Sequence, residues 1–310
     1  MLHEYSVIDG RISRDSGGEL PIQVFVLPDE QERTYLIDEL QIDQHTLNSS
    51  IDPDETPRIE FEDNHVAVIL KYPKNYSAED NFLFRVKSMG IFMFRDRIVI
   101  VVDDNVQLFP TLKASNRVNT PQDVFLKVLH QTIRHFESHL RVINMCSDEI
   151  ENEINESGDN RSLLNMFTLE KGLVYYVNAL NGNSRVVERL RGSAGKIGFS
   201  EDNLELLEDL SIENHQFLDQ AQVYSQVLSG LMDARAAFIN NNLNVMMKNM
   251  NAIVIAVAIP TFITGVFGMS ELTEFTGGPR YALIAYPLFA LLMILLGVCS
   301  FLLIKKLEKH

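Results

Sequence analysis

Residues 249–270, NMNAIVIAVAIPTFITGVFGMS, and residues 281–304, YALIAYPLFALLMILLGVCSFLLI, decide the architecture of this 310-residue chain. Neither stretch contains a charged side chain, and their 22 and 24 residues make helices of about 33 and 36 Å against a hydrocarbon core of ~30 Å. A buried core hairpin is the alternative, but core helices rarely run this long without a charge. Both stretches are therefore read as membrane spans.

The flanks set the orientation. Lys248 precedes the first span and Lys305, Lys306 and Lys309 follow the second, whereas the connecting loop, SELTEFTGGPR, carries two acids and one Arg. The positive-inside rule puts both termini in the cytoplasm. No apolar stretch precedes His3 and Glu4, so no signal peptide is expected, and the chain reads as a multi-pass protein of the inner (plasma) membrane, in contact with lipid. Two helices cannot enclose a water-filled path. Any conduit must be assembled by several copies around an axis, so a homo-oligomer is expected.

Charge separates the tail from the rest. Residues 249–310 carry four basic groups (Arg280, Lys305, Lys306, Lys309) against three acids (Glu271, Glu274, Glu308); the remaining 23 basic and 39 acidic groups, of 27 and 42 in all, lie in the first 248 residues. A soluble acidic body is joined to a hydrophobic tail. The net charge of −15 argues against nucleic acid as a partner, which needs a clustered basic surface. Cys146 and Cys299 stand far apart with no C-x-x-C or neighbouring His cluster, and both read as small apolar fillers.

Upstream of the first span, Glu201 to Met250 contains no proline and one glycine, Gly230, so one helix can run from the body into the bilayer. Leu207, Leu210, Phe217, Ala221, Tyr224, Leu228, Leu231 and Phe238 recur in threes and fours, a coiled-coil-like seam interrupted by Asn214 and Arg235. Packing within the chain and packing between copies both fit that pattern. A second line, Asn244, Met247, Asn251, Val254, Ala258, Thr261, Gly265 and Gly268, continues through the span and is small or polar. Small residues at this spacing commonly mark close helix packing. In a ring of copies, however, the oxygens of Asn244, Asn251 and Thr261 would line a path with neutral acceptors suited to a hydrated cation, with Met247 and Met250 as an apolar collar at its inner end.

The sequence N-x-x-M-K at Asn244–Lys248, followed by PTFITGVFGM at Pro260–Met269, resembles the first membrane helix and signature loop of the CorA family of divalent-cation channels. SGLMD at Ser229–Asp233 is similar to the family's stalk helix, and RIEFEDNHVAVILK at Arg58–Lys71 to a strand pair of its cytoplasmic domain. The resemblance implies an α+β cytoplasmic domain with a long stalk helix and two C-terminal transmembrane helices, assembled as a funnel-shaped homopentamer. It implies a divalent metal cation as cargo, Mg²⁺ first and Zn²⁺, Co²⁺ or Ni²⁺ as alternatives, with no organic cofactor. The family's Gly-Met-Asn reads Gly268-Met269-Ser270 here, so a hydroxyl of shorter reach replaces the carboxamide at the outer mouth. Glu271 and Glu274 follow that loop and could add an acidic ring. The family's proline is also displaced by one position, to Pro260. A CorA-like scaffold that no longer conducts is the competing reading.

On this reading the chain divides into an α/β cytoplasmic domain (1–120), a helical hairpin (121–200), a stalk helix continuing into the first span (201–270), an outer loop (271–280), the second span (281–304) and a basic cytoplasmic tail (305–310). Strands are expected at 4–8, 23–27, 58–62, 65–71, 82–94 and 97–103, with short helical segments at 35–40 and 43–50. The hairpin helices are placed at 121–156 and 161–192. The family's intracellular Mg²⁺ sensor implies a regulatory role for Asp209 in the upper stalk, with Asp52 and Asp54 near the expected position of its partner. The acidic run Asp148, Glu149, Glu151, Glu153 and Glu156 offers further hard oxygen ligands. His135 and His139, an i, i+4 pair, read as a solvated pair, with a metal site as the alternative. No nucleotide-binding, nucleophile-elbow or zinc-protease motif is present, and no residue stands out as catalytic.

Overall fold

The computed structural model describes residues 1–14, 20–77, 80–104, 108–109, 118–157, 160–266, 280 and 282–307. The chain falls into two units, Met1–Met232 and Asp233–His310.

The first unit is built on a seven-stranded sheet of β1 (Leu2–Ile8), β2 (Arg11–Ser13), β3 (Pro21–Val26), β4 (Arg58–Phe61), β5 (Val66–Pro73), β6 (Val86–Met93) and β7 (Ile98–Val102). Its order is β2-β1-β3-β7-β6-β5-β4. β3 and β7 run parallel and every other neighbouring pair is antiparallel. Central β7, IVIVV, is buried on both faces, as an unbroken apolar run requires. Alternation sorts its side chains: Ile98, Ile100 and Val102 enter the larger core, Val99 and Val101 the smaller one.

Different helices cover the two faces. The smaller core is closed by α1 (Glu30–Thr34), a π-helical turn at Tyr35–Glu39 and α2 (Gln44–Ser49), through Leu36, Leu40, Ile42 and Leu47. The larger core packs under the hairpin of α3 (Pro121–Ser157) and α4 (Asn160–Gly192). Beyond Ile69, the last β5 residue paired with β4, the amide of Asn183 on α4 takes over. Its Oδ1 accepts from Lys71 N at 2.9 Å and its Nδ2 donates to Lys71 O at 2.8 Å. A buried strand edge is thereby satisfied from the helix above it. After the short α5 (Ala194–Ile197), α6 (Glu201–Val266) begins, and α7 (Ala282–Leu307) ends the described chain.

Three elements differ from expectation. The strand placed at 82–94 starts at Val86, because Asn81 and Phe82 take positive φ of 47° and 65° in a turn whose Leu83 N–H bonds to Asp80 O. Phe84 is apolar because it stacks on Tyr76 at 4.3 Å. β2 is additional to the expected strands and pairs with β1 across Asp9-Gly10, at φ 51° and 73°, a standard hairpin dipeptide. α1 is likewise additional to the expected helices, and Asp29 and Glu32 form a reciprocal capping box at its start.

Candidate ion pathway

α6 is fixed at its start by a reciprocal cap. Ser200 Oγ accepts from Asn203 N and Asn203 Oδ1 from Ser200 N, both at 3.1 Å, while Asn203 Nδ2 donates to Asp123 Oδ1 at 2.7 Å and ties the cap to α3. The expected seam is buried within the chain: Leu207, Leu210, Phe217, Ala221 and Leu228 join the larger core, with Tyr224 and Leu231 partly buried against it. Asn214, the polar residue within the seam, is fully buried, and its Nδ2 donates to Leu180 O at 3.0 Å and Ser184 Oγ at 2.7 Å on α4. It pins the register of the two helices.

Below Leu231 the environment changes. Every residue from Ala236 to Asn251 is exposed, including Phe238, Leu243, Met246, Met247 and Met250. Such an apolar face has no stable place in water. At this level amides and thioethers share the helix surface with apolar side chains, and Asn244 and Asn251 are among the exposed residues.

From Ala252 onward one face of α6 is covered again, by α7. Ala252 and Ala256 are buried, Pro260 and Ile263 half-buried, and Met293 is the buried residue of α7. Pro260 has no N–H, so the carbonyl of Ala256 loses its helical donor. Gly297 lies against that carbonyl: a Cβ added there would stand 3.3 Å from Ala256 O and 3.5 Å from Pro260 Cγ. The freed carbonyl thus meets the second helix of the same chain, and the absent side chain is what permits the approach.

With about 100° of rotation per residue, Asn244, Met247, Asn251, Val254, Ala258, Thr261 and Gly265 lie on the side of α6 opposite the α7 contact. All seven are exposed, as is Met250 at the edge of the same face. Thr261 Oγ1 donates its proton to Val257 O at 2.8 Å. The oxygen left facing outward can only accept, which is what the water shell of a cation demands. Gly268, Met269, Ser270 and Glu271, expected to form the outer mouth, lie outside the described residues, as does Glu274.

A family model described as CorA-like Mg²⁺ transporter protein matches residues 24–306. The chain belongs to this family. A cobalt/magnesium transport protein CorA of Methanocaldococcus jannaschii is 25% identical over 251 residues, covering 78% of this chain and 77% of the relative. Another, from Thermotoga maritima, is 21% identical over 230 residues, covering 72% and 65%. The complete structure of the M. jannaschii CorA magnesium transporter superposes with a TM-score of 0.79 at 21% identity, covering 98% of this chain and 96% of that one. The fold is CorA-like: a soluble α/β domain, a long helix and two apolar C-terminal helices. α6 and α7 each hold an 18-residue stretch apolar enough to cross a membrane, with mean hydropathies of 1.7 and 2.7 and little of either stretch buried within the chain.

The acidic residues of the CorA-like body are dispersed. Asp209 is exposed on α6, and among the described residues no three His, Cys, Asp or Glu side chains gather to hold a metal. Asp148 and Glu149 are exposed, and Glu153 accepts from Ser162 Oγ at 2.9 Å. Asp52 and Asp54 sit on a loop anchored by buried Lys71, whose Nζ donates to Pro53 O and to Ser88 Oγ, while Ser88 Oγ donates to Asp52 O. Burial pushes the Lys71 ammonium below its usual range, opposed by Asp52, Asp54 and Glu55.

The histidine pair is neither solvated nor arranged for a metal. His139 is buried, its Nδ1 stands 2.6 Å from Tyr176 Oη, and its ring meets Phe84 and Tyr176. Burial, with His135 adding to it, lowers its pKa to about 4. The i, i+4 spacing alone could not reveal this, because the aromatic partners come from the β5–β6 connection and from α4. Cys146 packs at the edge of the core, whereas Cys299 is exposed on α7.

Proposed function

We propose that this protein conducts divalent cations, Mg²⁺ foremost, through a homo-oligomeric pore, most simply a pentamer, lined by the exposed face of α6. The observation that carries the reading is the opposition of two faces: α7 occupies the Ala252, Ala256, Pro260, Ile263 side, which leaves the Asn251, Ala258, Thr261 side to meet an axis. With α7 outside and α6 inside, copies pack through Ile255, Ile259 and Phe262, which are exposed in the single chain.

The chemistry is passive. Two charges crossing 100 mV gain ~4.6 kcal/mol, so no nucleotide hydrolysis is needed. The acidic body, facing the cytoplasm with both termini, attracts cations to the inner end. Rings of Met247 and Met250, about a turn apart, form an apolar collar that gates by dewetting. At the outer end the Gly268-Met269-Ser270 loop and Glu271 receive the hydrated ion. Asp209 serves as a regulatory metal ligand only together with acids of a neighbouring copy, since the described residues of its own chain gather no ligand set around it.

The Ser270 position favours a second reading, in which the family scaffold persists without conduction. Uptake of Mg²⁺, Co²⁺ and Zn²⁺ into liposomes containing the purified protein separates the two. Flux above empty liposomes supports the channel; an intact oligomer with no flux for any of the three cations leaves the scaffold.

A further inference from the structure

The soluble unit holds a cleft of about 460 Å³ where the β5–β6 connection, the Pro53–Asp54 loop and α4 meet. Four cations border it, Lys74, Arg85, Lys87 and Lys171, in a chain whose acids outnumber its bases by 42 to 27. Two of them are neutralised in place. Lys74 pairs with Asp80 at 2.9 Å, and Lys87 with Asp103 at 2.9 Å and Asp104 at 3.6 Å. Asp103 is spent in turn, because its other oxygen accepts from Tyr72 Oη at 3.0 Å.

Arg85 and Lys171 are different. Both are exposed, and neither makes an ion pair with any described residue. Lys171 Nζ instead stands 6.0 Å from the ring centre of Tyr175, which keeps 37% of its surface open. The border of the cleft therefore offers a guanidinium and an ammonium without counter-ions among the described residues, the arrangement that phosphate oxygens satisfy. Tyr175 adds a flat aromatic face, Leu83 and Val86 add apolar wall, and Asp54 brings a carboxylate acceptor of the kind that sugar hydroxyls use. The volume lies within the range of small-molecule sites.

We propose that this cleft binds a nucleoside phosphate, with its phosphates on Arg85 and Lys171 and its base against Tyr175. Binding requires neither the membrane helices nor transport, so it stands apart from the channel reading. The test is calorimetric titration of the full-length protein in detergent, in chelator-treated buffer, with ATP and separately with tripolyphosphate. Saturable ATP binding at one site per chain is expected, tighter than that of tripolyphosphate. Arg85→Ala and Lys171→Ala should each weaken ATP about tenfold or more, and Tyr175→Leu should weaken ATP several-fold while leaving tripolyphosphate unchanged. All three side chains are open to solvent, so an unmoved melting temperature is expected and checks that the variants fold. No saturable ATP binding, equal affinity in the Arg85→Ala/Lys171→Ala double variant, or tripolyphosphate binding as tightly as ATP would each overturn the assignment.

Discussion

The two ends of α6 obey opposite rules. From Leu207 to Leu228 the seam of Leu207, Leu210, Phe217, Ala221 and Leu228 is buried against the protein's own core, and the Nδ2 of its polar intruder, Asn214, is matched by a carbonyl and a hydroxyl on α4. From Ala236 to Asn251 every residue of the same helix is exposed, and beyond that only one face is covered among the described residues. A heptad-like pattern therefore does not say by itself who covers it. In the upper half the chain completes itself; in the lower half, on the proposed reading, completion comes from lipid and other copies.

The sharpest way to break this contrast is to truncate one large side chain in each region. Phe136→Ala removes a fully buried ring that meets Tyr176 edge-on at 5.2 Å, and should cost about 3–5 kcal/mol of unfolding free energy. Phe238→Ala, at an exposed position, should change the thermal unfolding of the body by less than about 0.5 kcal/mol while weakening assembly, read by mass measurement in detergent. Equal losses of stability would erase the distinction.

Acid should also act on the body first. The folded pKa of His139 is about 4 against 6.5 for a free His, so the unfolded state binds the extra proton more readily. Its stabilising contribution is complete above pH 6.5 and is lost as pH falls towards 4, by about 3 kcal/mol in total. Thermal melts from pH 7 to pH 4 should show this decline, flattened in His139→Gln. A parallel decline in that variant would assign the acid sensitivity elsewhere.

Smaller effects probe the tail. Gly297→Leu forces a side chain against Ala256 O and Pro260, and overpacking of this kind costs about 1–3 kcal/mol. It should loosen the α6–α7 pair and leave the unfolding of the body unmoved. Met250→Ser wets the proposed collar and should raise basal cation leak a few-fold; unchanged flux would return Met247 and Met250 to ordinary packing.

Much of this was legible in the sequence because the decisive signals are long. Two charge-free stretches, one proline-poor helix and β-branched runs such as IVIVV need no tertiary context. Short elements were lost where capping and turn chemistry outweighed hydrophobicity, at Asp29–Glu32 and Asp9-Gly10. For the site, the exposed face of α6 could be written from spacing alone, but its relation to α7 could not, since nothing local to Ala256 announces that Gly297 comes to rest on its carbonyl. His139 shows the same limit: a spacing typical of a surface pair belongs here to an aromatic cluster drawn from three separate segments.

The central claim, that the face of α6 opposite α7 lines the cation path, is tested most directly by placing one bulky ring on that face and another off it. Mg²⁺ uptake would be measured in liposomes containing wild-type protein, Ala258→Phe or Ile259→Phe, each confirmed as an intact oligomer. Ala258 points along the proposed pathway and Ile259 towards its flank. The account predicts uptake by wild type, near-complete block in Ala258→Phe and retained uptake in Ile259→Phe. Undiminished uptake in Ala258→Phe, or block in Ile259→Phe alone, would contradict it.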